Sequence, residues 1–85
     1  MPRIQRPPTI STQPVSSTTL RAAGFKETVP SRGKAGILRL VFRTGKIYDY
    51  FQVPLQVFAE LMDAASKGRY FNFHIRNRYR FRRIR

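Results

Sequence analysis

With 85 residues, 41% hydrophobic and 13% aromatic, the chain has the apolar content to fold, but only the length for one small domain with a thin core. It contains no cysteine, which excludes disulfides, thiolate metal sites and cysteine nucleophiles. Lysine and arginine number 17 against 4 acids, a formal net charge of +13 whose self-repulsion opposes folding and points to an acidic partner.

That charge is unevenly spread. Residues 1–36 carry net +5, residues 37–65 net zero, and residues 66–85 net +8 with no acid. The middle therefore builds the fold and the end carries the field. The opening MPRIQRPPTISTQPV breaks with Arg and Pro where a secretory signal needs an apolar run of about 7–15 residues, and no later window is long and apolar enough to span a bilayer. These features predict a soluble cytoplasmic protein without membrane contact.

In chain order, residues 1–15 hold Pro2, Pro7, Pro8 and Pro14 among polar groups and read as a flexible, Pro-rich basic arm. Such an arm either adds phosphate contacts or has no role. A single domain is expected over residues 16–85. TLRAAGF (19–25) reads as a short strand, followed by a loop marked by Pro30, Gly33 and Gly36. GILRLVFRTGKIYDYFQVP then reads as a hairpin. Leu38, Leu40 and Phe42 alternate with Arg39, Val41 and Arg43, Thr44–Gly45 turns, and Tyr48 and Tyr50 alternate with Ile47, Asp49 and Phe51.

At Pro54 the period becomes helical, because a proline at a helix start loses no intrahelical hydrogen bond. Val57, Phe58, Leu61, Met62 and Ala65 form an apolar stripe, Glu60 and Asp63 lie off it, and Gly68 is placed as the C-terminal cap. The fold class is α+β: a three-stranded antiparallel β-meander (about 17–26, 36–43 and 46–52), then two short helices (54–66 and 69–76) and a basic extended C-terminal segment.

FNFHIRNRYRFRRI, residues 71–84, carries two periods at once. Alternating apolar and basic residues favour a strand, while Phe71, Ile75 and Tyr79, four apart, favour a helix. Asn77 tolerates the left-handed conformation that ends helices, so the stretch is divided there. Phe71–Arg76 closes the domain as a short helix, with Phe71 and Ile75 inward and His74 and Arg76 outward. Arg78–Arg85 then extends beyond it, tethered by Tyr79 and Phe81. Truncation before Arg78 is expected to abolish binding and leave the fold largely intact.

YDYFQVP, VFAELMDAASKGRYFN, HIRNRY and RFRRI, in that order, resemble the KTSC family, a short domain found at the C-terminus of some lysyl-tRNA synthetases and as stand-alone bacterial or phage proteins. The residues that carry the resemblance are Tyr48, Tyr50, Val53, Pro54, the run Ala65–Gly68, Phe71, Asn72, Ile75, Arg76 and Tyr79. It covers residues 16–84 and implies a small α+β domain with a proposed role in RNA binding and no catalytic residues. Two departures stand out: a long loop over residues 26–36, and Asn77 where the family suggests glycine.

Acid–base chemistry needs a converging set of groups, and the chain offers one His and four carboxylates. Asp49 falls on a strand. Glu60 and Asp63, three apart without a nearby His, read as a solvated face, and His74 among arginines favours a neutral stacking ring over a general base. The expectation is a non-enzymatic module with no metal and no cofactor.

Tyr48 and Tyr50 are either a stacking platform for bases or alternate core residues, and in so thin a domain core takes precedence. Tyr79 and Phe81 are further stacking candidates. The terminal basic residues are of one sign, unlike a solvated mixed face, and Arg carries a planar fork suited to phosphate. Lys67, Arg69, Arg76, Arg78, Arg80, Arg82, Arg83 and Arg85 are therefore the expected nucleic-acid-binding surface, with RNA, or single-stranded DNA, as partner. Six contacts to one strand would give log K a slope against log salt of about −4. The alternative is a phage-type or bacterial protein that modulates host transcription or translation machinery through protein–protein contacts, since Tyr and Arg also dominate interface hot spots.

Overall fold

The computed structural model describes residues 9–28 and 35–85. They run β1 (Thr12–Pro14), β2 (Leu20–Glu27), β3 (Ala35–Phe42), β4 (Ile47–Pro54), α1 (Leu55–Asp63), α2 (Lys67–His74) and β5 (Phe81–Arg83). All five strands join one antiparallel sheet in sequence order.

The hairpin forms where the alternation places it. Leu38 faces Tyr50 and Leu40 faces Tyr48 across β3 and β4. Phe42 N–H donates to Lys46 O at 2.9 Å, and Gly45, at φ +94°, takes the left-handed turn position that glycine occupies without strain. Leu20, Ala23, Leu38, Leu40, Tyr50 and Val53 share one sheet face with Leu61 of α1, Phe71 of α2 and Ile75, and together these make the core. Val57, Phe58 and Met62 of the expected stripe pack against it, whereas Ala65 lies beyond the helix and is exposed.

The sheet has five strands, not three. Strands of three residues, such as β1 and β5, are too short to show a period of their own, so only pairing reveals them. β1 pairs Thr12 with Gly24 and Pro14 with Ala22, and Ile10 is buried, so part of the expected arm belongs to the sheet and core. Residues 1–8 of that arm, and residues 29–34 of the long loop, lie outside the described residues.

The C-terminal segment is likewise no mere tether. Asn77 is left-handed at φ +63°, as expected of the helix stop, and the chain then turns back along β4. Tyr48 faces Arg83, Asp49 faces Arg82 and Tyr50 faces Phe81. Phe51 N–H donates to Arg80 O at 2.8 Å, Ile47 N–H to Arg85 O at 2.9 Å, and Ile84 N–H to Ile47 O at 2.7 Å. These bonds satisfy an edge of β4 that would otherwise be unpaired. Truncation before Arg78 would strip that edge, so it would remove a strand of the sheet as well as the terminal arginines.

Helix limits shift for local reasons. Pro54 is the N-cap of α1, and α1 stops at Asp63 because Ala64 turns extended. Ser66 then caps α2, its Oγ accepting from Arg69 N–H at 3.3 Å, so α2 starts before the expected residue 69. Gly68, expected as a cap, sits inside α2 against the turn that leads into β2, where a Cβ would overlap Thr19 Oγ1. Among the described residues no helix is long and apolar enough to cross a membrane.

Candidate nucleic-acid interface

The described basic side chains fall into two classes. Three of those outside the C-terminal set are held by the fold: Arg39 pairs with Asp49, Arg43 Nε donates to Ser17 O at 2.6 Å, and Arg21 reaches Arg43 O at 3.4 Å. The Arg39–Asp49 pair is the one salt bridge among the described residues. Its Nε and Nη2 donate to the two carboxylate oxygens at 2.7 and 2.8 Å, and that hydrogen bond holds the guanidinium above its ordinary pKa despite partial burial.

Arg69, Arg76, Arg78, Arg80, Arg82, Arg83 and Arg85 form the second class. All seven are exposed and none pairs with an Asp or Glu, although Arg83 Nε donates to Arg85 O at 3.2 Å. Lys67 differs: it is half-buried, and its Nζ donates to Ala64 O at 2.9 Å, which fastens the α1–α2 corner.

These arginines do not form one flat patch. Strand alternation puts Arg83 with Phe81 on the helix-covered side of the sheet and Arg82 on the other, where its guanidinium lies 6.0 Å from the Phe51 ring centre. Arg78 and Arg80 flank Tyr79 on the connection from α2 to β5, whereas Arg69 lies at the start of α2 beside a hollow lined by Tyr70, Phe73 and His74. The set wraps the β5 edge rather than covering one surface.

On the helix side of that edge is an open cleft of about 370 Å³ lined by Phe42, Tyr48, Tyr50, Phe71, Arg76, Asn77 and Phe81. Three of the four stacking candidates meet here. Tyr50 is only 5% exposed and belongs to the core, Tyr48 is half-buried at the core margin, and Phe81 is 54% exposed. The Phe81 centroid lies 5.6 Å from Tyr48 and 5.7 Å from Tyr50. Tyr79, the fourth candidate, packs on the core outside the cleft. Burial pushes the Tyr50 hydroxyl up to about 12, with Tyr48 adding to the shift and Arg76 opposing it, so it remains a proton donor at neutral pH.

Sequence reasoning missed Phe42, Phe71 and Asn77 as part of this lining. The inward alternation of Leu38, Leu40 and Phe42 was the available signal for Phe42. Two of the three carboxylates weighed for chemistry are otherwise engaged: Asp49 by Arg39, and Glu60 by the Tyr70 hydroxyl at 2.7 Å and Gln56 Nε2 at 3.0 Å. Among the described residues no three His, Cys, Asp or Glu side chains are grouped to hold a metal ion.

The KTSC domain family model matches residues 16–79. The chain belongs to the KTSC family. This KTSC chain is 45% identical over 47 residues to a lysine–tRNA ligase of Nostoc sp., a match that covers 55% of the chain but only 8% of that ligase. It is 40% identical over 68 residues to a protein of Tsukamurella paurometabola, covering 80% of this chain and 92% of that one. The crystal structure of a KTSC domain protein from Yersinia pestis superposes with a TM-score of 0.77 at 30% identity, over 91% of this chain and 100% of that one. The family match stops short of β5, so Arg80, Arg82, Arg83 and Arg85 lie beyond it.

Proposed function

We propose that this KTSC domain is a non-enzymatic nucleic-acid-binding module, acting in the cytoplasm, that takes single-stranded RNA mainly through its phosphates. The observation that carries the reading is the set of seven exposed arginines, none paired to an Asp or Glu, disposed about α2 and the β5 edge. A fold that needed only solubility would mix signs there, and each planar guanidinium can grip a phosphate bidentately. Capture is electrostatic, with weak sequence preference. Lys67, bonded to Ala64 O, serves the fold first and the partner second.

The test is titration of labelled single-stranded RNA across salt, with the wild type and with an Arg76→Gln/Arg78→Gln/Arg80→Gln triple variant. The wild type should show a log K versus log salt slope of about −4 for six phosphate contacts, and the variant a slope nearer about −2, since each lost contact removes about 0.7. Equal slopes, or affinity no better than that of a scrambled basic peptide, would overturn the proposal. A partner recovered from lysate that survives nuclease would favour protein–protein contact with the transcription or translation machinery.

A further inference from the structure

The aromatic cleft carries more than phosphate contact. We propose that it takes one unstacked base of a bound single strand, laid on the exposed ring of Phe81 beside Tyr48, with the adjoining phosphate held by Arg76 and the base edge met by the hydroxyl of Tyr50 and the side chain of Asn77. The inference rests on the nucleic-acid reading above and names the part of the ligand that this site would recognise.

Three observations point there. First, the cleft is lined by five aromatic rings, and Phe81 keeps more than half of its surface open to solvent on a strand otherwise tied to β4. A planar ligand recovers contact area on such a ring that an aliphatic side chain would not, and an aromatic face accepts any base. Second, the ring of Tyr50 is buried, while its hydroxyl hydrogen-bonds no group among the described residues and, since no buried polar side-chain atom among them lacks a partner, stands open to solvent at the cleft. An accessible hydroxyl on a fixed ring can donate to a ligand that brings an acceptor, and bases carry several on their edges. The hydroxyl is protonated at neutral pH and so able to donate.

Third, the only charged residue in the lining is Arg76, and it sits with Asn77 at the left-handed turn that ends α2. A cationic rim beside aromatic walls matches a nucleotide, an anionic group joined to a flat one, better than it matches an acidic or an aromatic side chain alone. Phe71 and Tyr50 floor the cleft from the core, and Phe42 meets Phe71 edge-on at 5.3 Å.

The experiment compares the full chain binding an oligoadenylate decamer and a decamer of stable abasic tetrahydrofuran phosphates, which present equal charge and differ in bases. Wild type should bind the adenylate at least about fivefold more tightly, the gain expected from stacking one base. Phe81→Ala should bring the ratio near one while the abasic affinity and its salt slope stay unchanged. Tyr50→Phe, which keeps the ring, should lower the ratio in part. In the wild type, ring-proton resonances of Tyr48 and Phe81 should move with the adenylate and not with the abasic strand, a readout that stands even if a variant fails to fold. Equal binding of both decamers, or a Phe81→Ala ratio unchanged from wild type, overturns the base site and leaves phosphate binding standing. Failure to bind either decamer overturns both.

Discussion

Replacing Asp49 by alanine tests the physical account of the sheet most directly. Asp49 is fully buried and receives two hydrogen bonds from Arg39, at 2.7 and 2.8 Å, on the sheet face away from the helices. Hydrogen bonds to charged groups contribute about 1.5–3 kcal/mol each, which brackets the loss at about 3–6 kcal/mol. Breaking one side of a buried ion pair costs about 3–5 kcal/mol by a separate route, because the other charge is left uncompensated. A chain of this length has a total stability of about 4–13 kcal/mol. At about 4–8 °C per kcal/mol, the melting temperature of Asp49→Ala, followed by far-UV circular dichroism, should fall by roughly 12 °C or more. The variant also leaves Arg82, which faces Asp49 across β4 and β5, next to a second unneutralised guanidinium. An Arg39→Met/Asp49→Leu double variant should recover most of the loss, since apolar residues can replace a buried pair at little cost. A drop under about 5 °C for Asp49→Ala, or a double variant no more stable than the single one, would refute this reasoning.

Gly68→Ala should lose about 1–3 kcal/mol in denaturant unfolding, because its Cβ would overlap Thr19 Oγ1 and force α2 away from the turn before β2. At Asn77, with φ +63°, Gly should fold at least as well as Asn, whereas Ala should cost about 1 kcal/mol in the same assay. Glu60 is held below its ordinary pKa of 4.5, first by the Tyr70 hydroxyl and then by Gln56. Its contribution is therefore present above pH 4.5 and lost as pH falls through the lower folded value, and Tyr70→Phe should flatten that acid limb of the melting profile. Tyr50 and Tyr70 are both pushed up to about 12, chiefly by burial, from an ordinary 10.0. Ultraviolet titration should show two tyrosines ionising late, and the stability they contribute, full below pH 10, should be lost as pH climbs toward 12.

Much of the fold was legible because its strongest signals are periodic. The hairpin from Leu38 to Phe51 alternates, the stripe from Val57 to Met62 repeats at helical spacing, and Asn77 carries the backbone freedom that a helix stop requires. What escaped was short or non-local. Ser66 as the cap of α2 was masked by the glycine two residues on, which exists for packing against Thr19 rather than for ending α1. Of the site, the seven exposed arginines were legible as a run of one sign, while the cleft was not. Phe42, Tyr48, Phe71 and Phe81 are up to 39 positions apart in the chain: the β3–β4 hairpin joins Phe42 to Tyr48, α2 adds Phe71, and only the return of β5 brings Phe81 beside them.

Composition and local pattern by themselves determined that this is one small α+β domain with a charge-neutral middle and a cationic end, because charge and period are properties of consecutive residues. Tertiary structure alone decided that the cationic end is a strand. β4 had an open edge, Asn77 turned the chain toward it, and backbone hydrogen bonding along that edge fixed which arginines face the aromatic cleft and which face away.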